Sequence, residues 1–199
     1  MIAIDPSLAL DAQQLDRVFE AAGPKIRGLA ARWSDDAGAP VFTVDGQYVV
    51  RGWTDWTRGF MVGSALLQFE ATGEKEFLEL GRKQTTQTMV SHLTHTGVHD
   101  HGFQNVSTFG NLLRLMTEGV IPDQSWERLS YVLALRVSGA VQAARWTSLP
   151  DGQGYVHSFN GPHSLFADTI RSMRALAISD LLGGELLGEN DVRTDLLDR

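Results

Sequence analysis

The chain of 199 residues contains no cysteine, which excludes disulfides, thiol nucleophiles and Cys-ligated zinc together. Positive charge is also scarce. The net charge is −7, only Lys25, Lys75 and Lys83 are lysines, and the arginines form no basic run. A phosphate backbone therefore finds no electrostatic footprint, and no nucleic-acid partner is expected. No apolar window reaches the length of a membrane span, so no membrane partner is expected either. The first residues, MIAIDPSLALDAQQLDRVFE, have neither a basic n-region nor a long apolar core. They do not read as a signal peptide, and the cytoplasm is the expected location. There is no glycine-rich phosphate loop and no G-x-S-x-G elbow.

What is present is ordinary in bulk, 43% hydrophobic and 21% charged, and the length suits one domain over residues 1–199. The periodicity is helical almost throughout. Leu8, Leu10, Leu15, Val18 and Phe19 share a face over residues 8–21. Gly23-Pro24 reads as an interruption, with Pro24 opening a second helix through Trp33. The "VDGQ" stretch suggests a tight hairpin between two short strands. Further helices are expected over 57–72, stopped by Gly73, over 74–94, and over 107–117, ended by Gly119. Others are expected from "PDQSWERL" to about Trp146 and from His163 to Leu182, with residues 147–162 as a loop between them and a polar helix beginning in "GENDVRTDLLDR".

These helices repeat as αα-hairpins: an aromatic and polar leading loop, a helix of small and apolar residues, a glycine, and a more amphipathic return. The leading loops are "RGWTDWTRGF", "GVHDHGFQNVS" and "HSFNGPHSLFADT". Because the helices alternate up and down, all three loops are expected on one rim.

Three kinds of chemistry compete there. His92, His95, His99 and His101 with Asp100 have the look of a metal site. Gly97 breaks the register and no second carboxylate stands at ligand spacing, so no metal and no cofactor is expected. Asp100 opens one inner helix and Asp168 lies in the first turns of another, and two carboxylates across a cleft suit acid/base work on sugars. The sequence around Asp168, "SLFADTIRSMRALAI", is mostly apolar, so its carboxyl is expected to be desolvated and to hold its proton longer than usual. Aromatic residues gather in the same loops, and Trp56 is placed to stack on a pyranose ring. Phe103, Gln104 and Asn160, also in these loops, are further candidate sugar contacts.

The stretch "WTRGFMVGSALLQFEATGEKEFLELGRK" followed by "HDHGF" resembles the unsaturated glucuronyl hydrolases, which carry W-T-x-G-F, T-G-D/E and H-D-x-G-F. "FADTIRSMRALAISDLLG" resembles their later helix with the second Asp. The resemblance covers about residues 40–185. It implies an all-α fold, an αα-hairpin toroid of the (α/α)6 type, here its N-terminal half. It also implies hydration of the C4=C5 double bond of an unsaturated uronic acid in lyase-generated oligosaccharides. Asp168 would then be the general acid/base, Asp100 the second essential carboxylate, His99 a sugar contact and Trp56 a stacking platform. Three positions depart from the family: His101 stands where an apolar residue is usual, and Thr169 and Ser172 replace the amides of D-N-x-x-N. A conventional glycosidase using the same two Asp residues is the alternative enzyme, and a carbohydrate-binding or scaffold protein the alternative outside enzymes. With half a toroid, inner-helix faces would be left uncovered, and self-association through them is expected.

Overall fold

The computed structural model describes residues 11–33, 37–50 and 56–198. Leu8 and Leu10, named above, lie outside these. The first helix, α1 (Ala12–Arg32), is opened by a capping box. Asp11 Oδ1 accepts from the Gln14 amide at 2.7 Å, and Gln14 Oε1 accepts from the Asp11 amide at 3.1 Å. The expected break at Gly23-Pro24 does not occur. Pro24 deprives the Glu20 carbonyl of its helical donor. The neighbouring Phe19 carbonyl, however, accepts from Gln68 Nε2 of the next helix at 3.0 Å, so tertiary contact holds this turn in place. The face expected to pack also differs. Leu15 and Val18 are exposed, and α1 meets the rest of the protein around Gly23 and Ile26.

The expected hairpin is present: β1 (Pro40–Val44) pairs antiparallel with β2 (Gln47–Val50). Asp45 and Gly46 both have positive φ, 49° and 74°, as a two-residue type I′ turn requires. The helical hairpins follow. Inner helix α2 (Arg58–Thr72) ends at left-handed Gly73 and returns as α3 (Lys75–Thr88), continued by a 3-10 turn at Val90–Thr94. The second inner helix begins at His101, six residues before the expected start. It runs as α4 (His101–Asn105), a π turn (Val106–Gly110) and α5 (Asn111–Thr117). β-branched and polar residues hide this start from propensity. They stabilise the π turn instead: the Ser107 and Thr108 hydroxyls donate to the Phe103 and Gln104 carbonyls at 2.8 and 2.9 Å. Its return is α6 (Ser125–Ala143).

The stretch expected as a loop after α6 holds a hairpin, β3 (Trp146–Ser148) with β4 (Gly154–Val156). The third inner element is a 3-10 turn at Ala167–Ser172 leading into α7 (Met173–Leu181). Residues 163–166 are not helical. The last expected helix is instead a short hairpin, β5 (Leu186–Leu187) with β6 (Arg193–Thr194), and a 3-10 turn at Leu196–Asp198. Leu196 is fully buried against Ala143 and Leu176. Among the described residues the architecture is thus all-helical with three two-stranded hairpins and no closed sheet, half of a six-hairpin toroid.

The main core lies between α2, α3, α5 and α6, around Leu66, Phe77, Leu112, Leu115 and Leu135. Glycines set how closely the inner helices approach. A Cβ on Gly59 would meet Gln104 Cα at 2.5 Å, and one on Gly102 would meet Ser172 Cβ at 2.9 Å and the Ser172 carbonyl at 3.1 Å. Gly102→Ala should therefore lower stability by about 1–3 kcal/mol, while Gly110→Ala, whose Cβ would meet nothing nearer than 3.5 Å, should not. Thermal melts of the two variants check this, and equal losses would refute the close-approach account. Large apolar side chains remain exposed. They form a stripe on α6 (Trp126, Leu129, Leu133, Val137) and a patch at Leu165, Phe166 and Ile170. The uncovered surface is therefore not confined to inner helices, where it was expected. No helix among the described residues is long and apolar enough to cross a membrane.

Candidate active site

The three leading segments do meet. Gly102 lets α4 sit against the 167–172 turn, and Ser172 Oγ donates to the His99 carbonyl at 2.7 Å. That contact sets Asp168 opposite the residues that open α4. His99 Nε2 lies 3.3 Å from Asp100 Oδ1 and 3.4 Å from Asp168 Oδ1. The three donor atoms fall within 4.8 Å of one another.

His99 is fully buried and its ring is fixed from behind. Its Nδ1 is 3.1 Å from the Ser158 carbonyl, which also accepts from the His99 amide at 2.9 Å. A carbonyl only accepts, so hydrogen bonding assigns the proton to Nδ1. Nε2 then faces two carboxylate oxygens. At least one more proton, on Nε2 or on a carboxyl, is needed to make these contacts attractive.

Burial pushes the Asp100 carboxyl above its ordinary value. His99 opposes this, Asp168 adds to it, and Arg171 and Arg145 oppose it. The desolvation expected at Asp168 therefore falls on Asp100. Asp168 sits in the 3-10 turn with its side chain 39% exposed, Oδ2 paired to Arg171 Nη2 at 2.7 Å. The apolar neighbours that suggested burial, Leu165, Phe166 and Ile170, are themselves exposed. Because the folded protein keeps a proton on Asp100 that the unfolded chain has lost above 3.8, stability falls as pH rises through that window. Asp100→Asn should be more stable than wild type in denaturant unfolding at pH 7, with the gain shrinking towards pH 4. A destabilised variant at pH 7 would contradict this.

Arg145, which the sequence did not single out, is buried behind the cluster. Its guanidinium donates to the carbonyls of His157 at 3.1 Å, Ser158 at 2.5 Å and Phe159 at 3.0 Å, and also to that of Thr96. It pins the third leading loop to the second. Burial pulls it below its ordinary value while Asp100 opposes that shift. Ser158 is equally central and equally silent in the sequence. Its hydroxyl accepts from the Phe166 amide and lies 2.7 Å from Thr169 Oγ1. Thr169 and Ser172, the departures from D-N-x-x-N, thus fasten the site's backbone.

From Asp168 a row runs along the rim. Arg171 lies 4.3 Å above the Phe103 ring. Phe103 stacks on Phe60 at 5.2 Å, and Trp56 meets Phe60 edge-on at 6.3 Å. Trp56 is partly exposed and Asn160 is exposed. Phe103 is buried beneath Arg171. Gln104 departs from its expected role: it is fully buried, and its Oε1 accepts from the Gly59 amide at 3.0 Å. It is a strut between α2 and α4 and reaches no cleft. A signal for Arg171 did exist in the sequence, since i,i+3 spacing puts it beside Asp168.

For metal, the donor set that converges among the described residues is His99, Asp100 and Asp168. His92, His95 and His101 do not join it. One imidazole and two carboxylates suit a divalent cation. Arg171 and Arg145 already supply positive charge here, so a proton fits the cluster better.

No protein-family model and no curated protein matches this sequence. Among solved structures, the chain is similar to the crystal structure of an unsaturated glucuronyl hydrolase specific for heparin. The match has a TM-score of 0.66 and 19% identity over 84% of this chain. It covers 42% of that chain's length, and at this identity the likeness is one of fold.

Proposed function

We propose that this chain is a single helical domain of a carbohydrate-active hydrolase that removes unsaturated uronic acid from lyase-generated oligosaccharides by hydrating the C4=C5 bond. The observation that carries the reading is the convergence of Asp100, His99 and Asp168 at the rim end of the inner helices. Asp168 is the member whose carboxyl reaches solvent, and so the one that can serve a sugar. It acts as general acid/base, giving a proton to C4 and taking one from the water that adds at C5. The hydrated sugar opens and the glycosidic bond breaks. One proton is given and one regained, so the carboxyl ends as it began. Asp100 and His99 share with Asp168 the proton that it passes to C4, and Trp56 offers a face to the sugar ring. Self-association through the α6 stripe is part of the same proposal.

The fold likeness to a glucuronyl hydrolase supports this reading. So does the spacing of the carboxylates. Oxygens within 4.8 Å argue against an inverting glycosidase, whose carboxyls stand about 6.5–9.5 Å apart, while a retaining one, at about 5–5.5 Å, is left to the experiment. The test is ultraviolet absorbance of an unsaturated disaccharide incubated with the full chain. Loss of the C4=C5 chromophore is the expected result. Cleavage with the chromophore retained would indicate a conventional glycosidase, and binding without turnover a carbohydrate-binding protein.

A further inference from the structure

We propose that Arg171 reads the substrate's carboxylate, exchanging Asp168 for the uronate group and so coupling the charge of the sugar to the freeing of the acid/base. This rests on the reading of the site given above. Arg171 follows Asp168 by three residues and donates from Nη2 to Asp168 Oδ2 at 2.7 Å. Its guanidinium lies 4.3 Å above the ring of Phe103, which is buried and stacked on Phe60 with an interplanar angle of 13°. The cation therefore rests over a buried aromatic ring, with Trp56 further along the same row. A guanidinium held over an aromatic face can still direct N–H donors at planar acceptors such as carboxylates.

The site needs such a group. Asp100 and Asp168 share one proton and keep one negative charge between them, which repels an anionic sugar. Arg145 cannot answer them at the rim, because it is buried and spends its donors on four backbone carbonyls. Arg171 is 41% exposed, and its bond to Asp168 is a half-exposed ion pair, a weak kind of contact. Replacing one carboxylate by another conserves the chemistry of the bond, so the exchange is nearly balanced. Once it has occurred, Asp168 faces Asp100 and His99 without its counter-ion, an arrangement in which the cluster retains its shared proton. A neutral sugar leaves the Arg171–Asp168 pair closed.

The test uses the full chain with a glucuronate-terminated disaccharide and its methyl ester, neither of which turns over by double-bond hydration. Calorimetry should find the acid bound about 10- to 100-fold more tightly than the ester by wild type. Arg171→Gln should bind the two alike, and Arg171→Lys should keep part of the preference. Arg174→Gln, an exposed change on α7, should match wild type. Preference retained in Arg171→Gln overturns the proposal, as does equal or absent binding of both sugars by wild type. Carboxylate preference without turnover of an unsaturated disaccharide would sink the hydrolase reading and spare Arg171. Turnover without the preference would do the reverse.

Discussion

Asp168→Asn should slow loss of the C4=C5 chromophore by about 10²- to 10⁴-fold, the contribution of a positioned general acid/base, with little change in stability. The amide matches the carboxyl in shape but neither gives nor takes a proton at working pH. Its structural loss is small, since the side chain is 39% exposed and its partner Arg171 is similarly open. Such pairs contribute about 0–1 kcal/mol. The rate effect should fall on kcat more than on KM, because the ring platform and the backbone frame from Ser158 and Arg145 are untouched. Full activity in a folded Asp168→Asn protein would remove Asp168 from the chemistry.

The second large effect concerns stability in acid. His101 is fully buried, and neither ring nitrogen has a protein hydrogen-bond partner. Burial pulls its protonation down to about 3, helped by the positive charge of Arg145 and of His95, His92 and His99. The unfolded chain binds a proton at this residue below its ordinary 6.5, and the folded chain does not. Stability from this residue is therefore complete above 6.5 and falls as pH drops towards about 3, by up to about 1.4 kcal/mol per unit. His101→Leu abolishes that slope. It also removes two buried unpartnered nitrogens, a gain of about 1–3 kcal/mol at neutral pH. Urea unfolding of both proteins at pH 7, 6 and 5 measures the difference. Parallel stability curves would refute the account.

The four-histidine stretch illustrates how local reading both works and fails. Counting suggests metal, and the donors of His92, His95 and His101 do not converge with the cluster; yet the second carboxylate that sequence spacing did not show is supplied by Asp168, far along the chain. The same reading could not assign burial. Apolar neighbours in sequence suggested a desolvated Asp168, but Leu165, Phe166 and Ile170 are exposed, while Asp100 lies under the third leading loop. Burial at a chain bend depends on what crosses it from elsewhere, and here that is the segment held by Arg145.

The sequence by itself determined the helical class, the hairpin rhythm, the Asp45-Gly46 turn and the stops at Gly73 and Gly119, both left-handed. These are local consequences of periodicity and of backbone angles that glycine tolerates. Parity of helices was enough to bring Asp100 and Asp168 to one rim. Only the tertiary structure decided that α1 runs unbroken through Pro24, that the inner helix starts at His101, and that Gln104 turns inward. Each of these is settled by a partner far away in the chain: Gln68 for Phe19, Ser172 for Gly102, Gly59 for Gln104. Hydrogen bonds and close approaches of this kind outweigh the few tenths of a kcal/mol that separate most local propensities, and a single sequence does not display them.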